Sequence, residues 1–244
     1  YGRSSPTQIP GTTWSTGAGK NTMGGSGNHF AIKTDGTLWA WGYNSDGMLG
    51  QNEAYSPSKK AYSSPVQVGS DTTWNTVATN GGIVGATKTD GTAWSWGKQE
   101  YGDLGINVGG TTRRSSPVQI PGTTWSNINT GNNRMYGYKT DGTLWVWGVN
   151  TYLESPQTPD HRSSPTQIPG TTWKVFGNAY IQDYSTLVTK TDGTLWAWGF
   201  NSNHGQLGQN NTTHQDSPVQ VTGTTWNNVK VAGHAVIGQQ LLEE

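Results

Sequence analysis

Four copies of Lys-Thr-Asp-Gly-Thr, beginning at Lys33, Lys88, Lys139 and Lys190, each place an ammonium two residues from a carboxylate. Such a pair could serve as acid and base. Recurrence around an Asp-Gly dipeptide assigns it to hairpin chemistry instead, because Asp favours turns and Gly supplies positive φ at no steric cost. The dipeptides at Asp35, Asp90, Asp141 and Asp192 predict two-residue type I′ hairpins. The five His (His29, His161, His204, His214 and His234) show no metal-binding spacing, and there is no Cys to supply a thiolate. No nucleophile elbow, phosphate loop or dinucleotide fingerprint is present. No catalytic residue, cofactor or metal is therefore expected, and the chain reads as a binder rather than an enzyme.

Binding chemistry is expected where the repeats differ. One set of variable segments lies at 51–63, 106–114, 149–162 and 209–215, and another at 15–28, 75–82, 126–134 and 174–185. They hold or adjoin the aromatic and cationic groups Tyr55, Tyr62, Tyr101, Arg113, Arg114, Arg134, Tyr136, Tyr152, His161, Tyr180 and Tyr184. Loops on a rigid scaffold are where recognition usually sits. These eleven residues are the ligand-binding candidates, set against the plainer reading that each is ordinary solvated loop.

The scaffold itself is legible as a repeat of about fifty residues. The Asp residues of the four hairpin signals are spaced by 55, 51 and 51 positions. A second signature, Ser-Pro-x-Gln-(Ile/Val), has its Pro at Pro6, Pro65, Pro117, Pro165 and Pro218, and a Thr-Thr-Trp follows each time, ending at Trp14, Trp74, Trp125, Trp173 and Trp226. Each hairpin signal runs into Trp-x-Trp-Gly: Trp39/Trp41, Trp94/Trp96, Trp145/Trp147 and Trp196/Trp198. These positions account for all 13 Trp, so Trp here is architectural. A buried aromatic removes about 150–250 Å² from water, worth roughly 4–6 kcal/mol gross.

Around each Asp-Gly the flanks read as strands. Trp39 and Trp41 share one face, Leu38 and Ala40 the other, and both faces are apolar enough to be covered. Val118–Ile120 reads as a third strand and Trp125–Ile128 as a fourth. Four short strands per period, without helical periodicity, predict an all-β propeller of about five blades. The repeats fall at approximately 1–28 (partial), 29–82, 83–134, 135–185, 186–233 and 234–244 (a partial closing strand) within one domain over 1–244. The ends look complementary: the C-terminal strand is expected to complete the blade begun by the N-terminal segment and so close the ring, which would satisfy exposed edges; the alternative is an open arc of a larger propeller.

These motifs resemble the regulator of chromosome condensation repeat family. His29, Asp35-Gly36, Trp39-Ala40-Trp41-Gly42, Gly47-Met48-Leu49-Gly50 and Pro65 carry the likeness, and Gly-x-Leu-Gly returns at 102–105 and 205–208. The Ser-Pro-Val-Gln-Ile-Pro-Gly-Thr-Thr-Trp version is similar to those in bacteria and in bacteriophage virion proteins. The third repeat departs, reading Asn150-Thr-Tyr-Leu-Glu-Ser in place of Gly-x-Leu-Gly, and the second has Ile83-Val84 where the first has His29-Phe30. The family's seven blades also exceed the five repeats counted in this sequence.

Charge narrows the functions. Fifteen Lys and Arg balance fifteen Asp and Glu, which argues against nucleic acid as a partner. No apolar run is long enough to span a membrane. The first expectation is a non-enzymatic, lectin-like or protein-binding module outside a cell or on a virion, recognising glycan or protein through the variable loops. Near-equivalent sites on repeated blades would add avidity. The alternatives are a structural or decoration part of a larger assembly such as a phage particle or a homo-oligomer, and, by analogy with the family's founding member, a small-GTPase exchange factor.

Overall fold

The computed structural model describes residues 5, 7–17, 19–23, 27–53, 61–131, 133–149, 161–174, 185–201, 205–232 and 235–240. All regular elements among them are antiparallel strands, and they form five successive sheets. The first contains β1 (Asn21–Met23), β2 (Asn28–Ile32), β3 (Leu38–Tyr43) and β4 (Ala61–Gln67). The second contains β5 (Trp74–Asn80), β6 (Ile83–Lys88), β7 (Ala93–Gln99) and β8 (Thr112–Ile120). The third contains β9 (Trp125–Gly131), β10 (Arg134–Lys139), β11 (Leu144–Gly148) and β12 (Arg162–Gln167). The fourth shows three strands, β13 (Ser185–Thr189), β14 (Leu195–Gly199) and β15 (Gln215–Val221), with Trp173 bridged to Lys190 at its inner side. The fifth is the pair β16 (Trp226–Ala232) and β17 (Ala235–Gln240). Strand order within each sheet follows the chain, as in a propeller blade.

The sheets are cut in a different phase from the sequence period. Thr-Thr-Trp does not add a fourth strand to the blade it follows; it opens the next one. Trp125 sits in β9, whose ladder partner is β10. The turn before it explains the jump: Thr13, Thr124, Thr172 and Thr225 all have φ of 64–70°, a left-handed kink that is costly for a β-branched residue. Two backbone bonds hold the kink at Thr124: Trp125 N donates to Gly91 O at 2.9 Å, reaching the preceding blade, and Thr140 N donates to Thr124 O at 2.9 Å within the new one. A β-carbon on Gly36 would stand 2.0 Å from Thr72 O, so this turn glycine is needed for the approach of the next blade.

The Asp-Gly turns differ from type I′. Only the glycine has positive φ (79–80° at Gly36, Gly91, Gly142 and Gly193), and Gly36 N bonds back to Lys33 O at 2.9 Å. That is a three-residue hairpin loop closed by a left-handed glycine, in which Asp keeps a negative φ and its carboxylate is used. Asp90 Oδ1 accepts from Thr92 N at 2.9 Å and Thr92 Oγ1 at 2.7 Å, and Thr92 Oγ1 accepts from Trp94 Nε1 at 2.9 Å. The same relay recurs at Asp35, Asp141 and Asp192. The Lys of each motif lies over two indoles: Lys88 Nζ is 4.8 Å from the Trp74 ring and 4.1 Å from Trp94. Hydrogen bonds from the Thr hold all four Asp below the usual carboxylate range. The repeated Lys and Asp are thus consumed in folding.

The core lies between blades. Phe30, Ile32, Leu38 and Ala40 of the first sheet share a cluster with Trp74, Val84, Ala86 and Trp96 of the second. The first four Thr-Thr-Trp rings each meet both rings of their blade's Trp-x-Trp, edge to face where Trp74 stands 6.3 Å from Trp94 and 6.0 Å from Trp96. Register pairs Val84 with Trp96 as it pairs His29 with Trp41, so Val84, and not Ile83, takes the place of His29. The expected ring closure is not found among the described residues: 7–9 belong to no strand, and β16–β17 is a two-stranded sheet.

Candidate functional site

The connections between the third and fourth strands of the blades carry the variable residues that reach the surface. Each leaves its Trp-x-Trp-Gly strand, makes the Gly-x-Leu-Gly turn where present, and returns along the Ser-Pro strand. The turn is clamped by the following blade. Asn52 N donates to Ser115 O and Asn107 N to Ser163 O, both at 2.7 Å. Trp96 Nε1 donates to Met48 O at 2.7 Å, and Leu49, Leu104 and Leu207 are fully buried. The described parts of the first two connections are therefore held on a fixed base.

At two successive blade junctions the same pair of positions meets. Asp46, just before Gly47, accepts from Arg113 Nε at 2.6 Å. Tyr101, just before Gly102, packs its ring 4.6 Å from that of His161. Arg113 and His161 occupy equivalent places, four residues before Pro117 and Pro165. One junction is thus closed by charge and the next by aromatic contact. Between them, residues 107–111 are exposed, including Val108 at 37 %; Gln99 Nε2 anchors this segment through Val108 O at 2.5 Å. Lys98 and Glu100 add a 2.6 Å ion pair at its root. Asp103, within the second Gly-x-Leu-Gly turn, is 1 % exposed, and burial raises its carboxyl to about 6.

The sequence candidates divide accordingly. Arg113, Tyr101 and His161 lie along this rim. Tyr62 is half-buried and donates its hydroxyl to Glu53 Oε1 at 2.6 Å, and Arg114 is half-buried in β8. Arg134 and Tyr136 must be withdrawn as surface binders. Arg134 is 2 % exposed and donates through Nε to Val149 O at 2.7 Å, while Tyr136 is fully buried with its hydroxyl 2.6 Å from Thr186 Oγ1 of the next blade. They belong to β10, an inner strand, and not to a loop, because the hairpin begins earlier than the sequence period suggested. Tyr55, Tyr152, Tyr180 and Tyr184 lie outside the described residues. Asp46 and Val108 escaped notice in sequence; the signal for Asp46 was its position in register with Tyr101. Among the described residues no three His, Cys, Asp or Glu gather as a metal site, and no helix is long and apolar enough to cross a membrane.

Comparison with known proteins places this scaffold. The family model of the regulator of chromosome condensation (RCC1) repeat matches residues 90–133 and 192–236. The ultraviolet-B receptor UVR8 of Arabidopsis thaliana is 28 % identical over 208 residues, 81 % of this chain and 44 % of the receptor. The mitochondrial RCC1 domain-containing protein RUG3 of the same plant is 24 % identical over 199 residues, 78 % of this chain and 44 % of the relative. Among solved structures, human WBSCR16 superposes with a TM-score of 0.65 at 23 % identity, covering 83 % of this chain and 52 % of that one. Prp20p of Saccharomyces cerevisiae gives 0.62 at 18 %, covering 88 % and 54 %. The chain thus spans about half the length of these relatives. In repeat sequence and blade architecture alike, the chain is similar to proteins of the regulator of chromosome condensation repeat family, whose repeat model matches two of its segments.

Proposed function

We propose that the chain is a non-enzymatic recognition module that binds a protein partner across the rim marked by Asp46–Arg113, Tyr101–His161 and the exposed residues 107–111. The observation that carries this reading is the contrast between a fixed base and a varied edge. The Gly-x-Leu-Gly clamp repeats at the first two junctions, whereas the residues in front of it change from Asp46–Arg113 to Tyr101–His161. Tyr and Arg beside an exposed Val108 are the side-chain types that dominate protein interfaces. A protein partner also agrees with the solved neighbour Prp20p, described with its binding to Gsp1p and histones.

The test is affinity capture with the purified chain, followed by calorimetry on each captured candidate. Tyr101→Ala combined with Val108→Asp is expected to weaken a true partner at least about tenfold, the loss of one interface anchor, with the circular dichroism spectrum unchanged. A partner held equally well by the double variant would place the site elsewhere. Binding competed by free sugar would replace the protein reading with the glycan one.

A further inference from the structure

The lysines of the hairpin motif keep a capacity that folding uses in one blade and leaves open in others. An ammonium carries three N–H donors, and the indoles beneath it engage only its charge. In the second blade one donor goes to Asp71 Oδ2 at 3.0 Å, and Lys88 is buried. Asp71 belongs to the β4–β5 crossing, whose Gly69-Ser70-Asp71 is one residue longer than the Pro121-Gly122 and Pro169-Gly170 of the next two crossings. There Lys139 and Lys190 are half-buried, 4.1–4.8 Å from their indole pairs. Among the described residues no carboxylate forms an ion pair with either.

The glycine makes room beside the ammonium. The point where a β-carbon of Gly122 would stand is 3.6 Å from Lys139 Nζ and 3.5 Å from Trp125 Nε1; for Gly170 the distances are 3.4 Å to Lys190 Nζ and 3.6 Å to Trp173 Nε1. Both indole N–H groups are buried without a protein acceptor, and both glycines are exposed. Two donors, one of them charged, thus converge on the same gap in successive blades. Converging donors call for an acceptor, and an oxyanion satisfies both. The carboxylate of the hairpin turn does not exclude a second anion: Lys88 holds Asp71 while Asp90 stays bonded to Thr92.

We propose that these gaps are carboxylate sites for an acidic polysaccharide. Lys33, 3.9 Å from the Trp39 ring, makes a third with Gly11 and Trp14, whose Nε1 also lacks a protein acceptor. The second blade supplies its own carboxylate and is closed. Like sites repeated at one edge of successive blades suit a ligand that repeats its charge, and the half-buried Trp39, Trp145 and Trp196 offer apolar surface for a pyranose ring beside each ammonium. One partly exposed ion pair is worth little alone, so affinity comes from several sites engaging one chain. The Asp-Gly turns and Thr-Thr-Trp crossings lie at the opposite strand ends from the Gly-x-Leu-Gly turns, so this edge is separate from the proposed protein-binding rim.

The test is a titration of the full chain, labelled with 15N at tryptophan, with galacturonate and with a galacturonate oligomer at constant ionic strength. The indole N–H signals of Trp125 and Trp173 are expected to shift saturably with both, the oligomer acting at a concentration about tenfold lower or less, while Trp74 stays still. Asp71→Ala frees Lys88 and should bring the Trp74 signal into the titration. Replacing Pro121-Gly122 with the Gly-Ser-Asp of the second blade should silence Trp125 alone. Tyr101→Ala with Val108→Asp should alter none of these shifts, which separates the two sites. A native Trp74 that shifts with the others, or a Trp74 that stays still in Asp71→Ala, would overturn the proposal. So would equal shifts with neutral galactose or with chloride, and polyglutamate binding as tightly as the galacturonate oligomer would give the sites to an acidic peptide instead.

Discussion

Replacing Gly105 by Ala asks whether a blade is held by its neighbour's turn or by its own sheet alone. Gly105 has a φ of +67°, and a β-carbon there would stand 2.5 Å from Trp147 Nε1 and 2.7 Å from Trp147 Cδ1. Trp147 is 1 % exposed, so its ring has no solvent to retreat into. Two costs are expected. An Ala in the left-handed region loses about 1–2 kcal/mol, and overfilling a packed contact adds about 1–3 kcal/mol. Gly110 separates them, because it has a φ of +80° and nothing within 4 Å of its β-position. Gly110→Ala should cost about 1–2 kcal/mol and Gly105→Ala about 2–5 kcal/mol. At about 2–4 °C per kcal/mol for a chain of this size, the two thermal midpoints should differ by about 2–12 °C. Scanning calorimetry measures that gap. Repeat arrays can unfold in parts, so amide exchange in β10 and β11 provides a local readout that should rise in Gly105→Ala alone. Equal midpoints and equal exchange would refute the claim that the turn is docked on Trp147.

Asp103 gives a pH signature: its folded pKa of about 6 lies above the unfolded value, so the folded chain binds the proton more tightly. Its full contribution is present below about pH 4 and is lost as pH rises through about 6. Asp103→Asn keeps an acceptor for Glu100 N, now 3.2 Å from Oδ1, and should raise stability at pH 7 by about 1–3 kcal/mol and flatten the urea midpoint between pH 4 and 7; an unchanged pH profile would remove Asp103 as its source. The partly exposed Asp46–Arg113 pair should show a coupling below about 1 kcal/mol that shrinks with salt in a double-mutant cycle, and a salt-independent coupling would mean the junction excludes water. Lys139 lies 4.8 Å from the Trp125 ring and 4.3 Å from Trp145; Lys139→Met keeps the stem and should cost about 0.5–2 kcal/mol in urea unfolding, whereas no loss would reduce the lysine to hydrocarbon cover.

What the sequence disclosed was set by period, and what it concealed was set by partners. Trp-x-Trp-Gly alternates with period two, so its strand character and its two covered faces follow from local geometry alone. The four-strand blade follows from counting. The blade boundary does not, because Thr123-Thr124-Trp125 follows Ser116-Pro117 after only five residues and only the Thr124 kink and the Trp125 N to Gly91 O bond divert it to the next sheet. That one-strand offset is also why Arg134 and Tyr136 looked like loop residues: a boundary drawn after residue 134 puts them at an edge, whereas β10 carries them into the space between blades, where Tyr136 meets Thr186. The turn type was hidden for a related reason. Asp-Gly is compatible with several hairpins, and the one adopted is chosen by the Thr two residues after Asp, whose hydroxyl must reach both the carboxylate and an indole. The junction pairs lay deepest, since Asp46 and Arg113 are 67 residues apart. Their link becomes visible only once positions are numbered from the Gly of one blade and the Pro of the next. In a repeat protein the chemistry worth reading lies between copies, and it is found by aligning each repeat with its neighbour's partner position as well as with its neighbour.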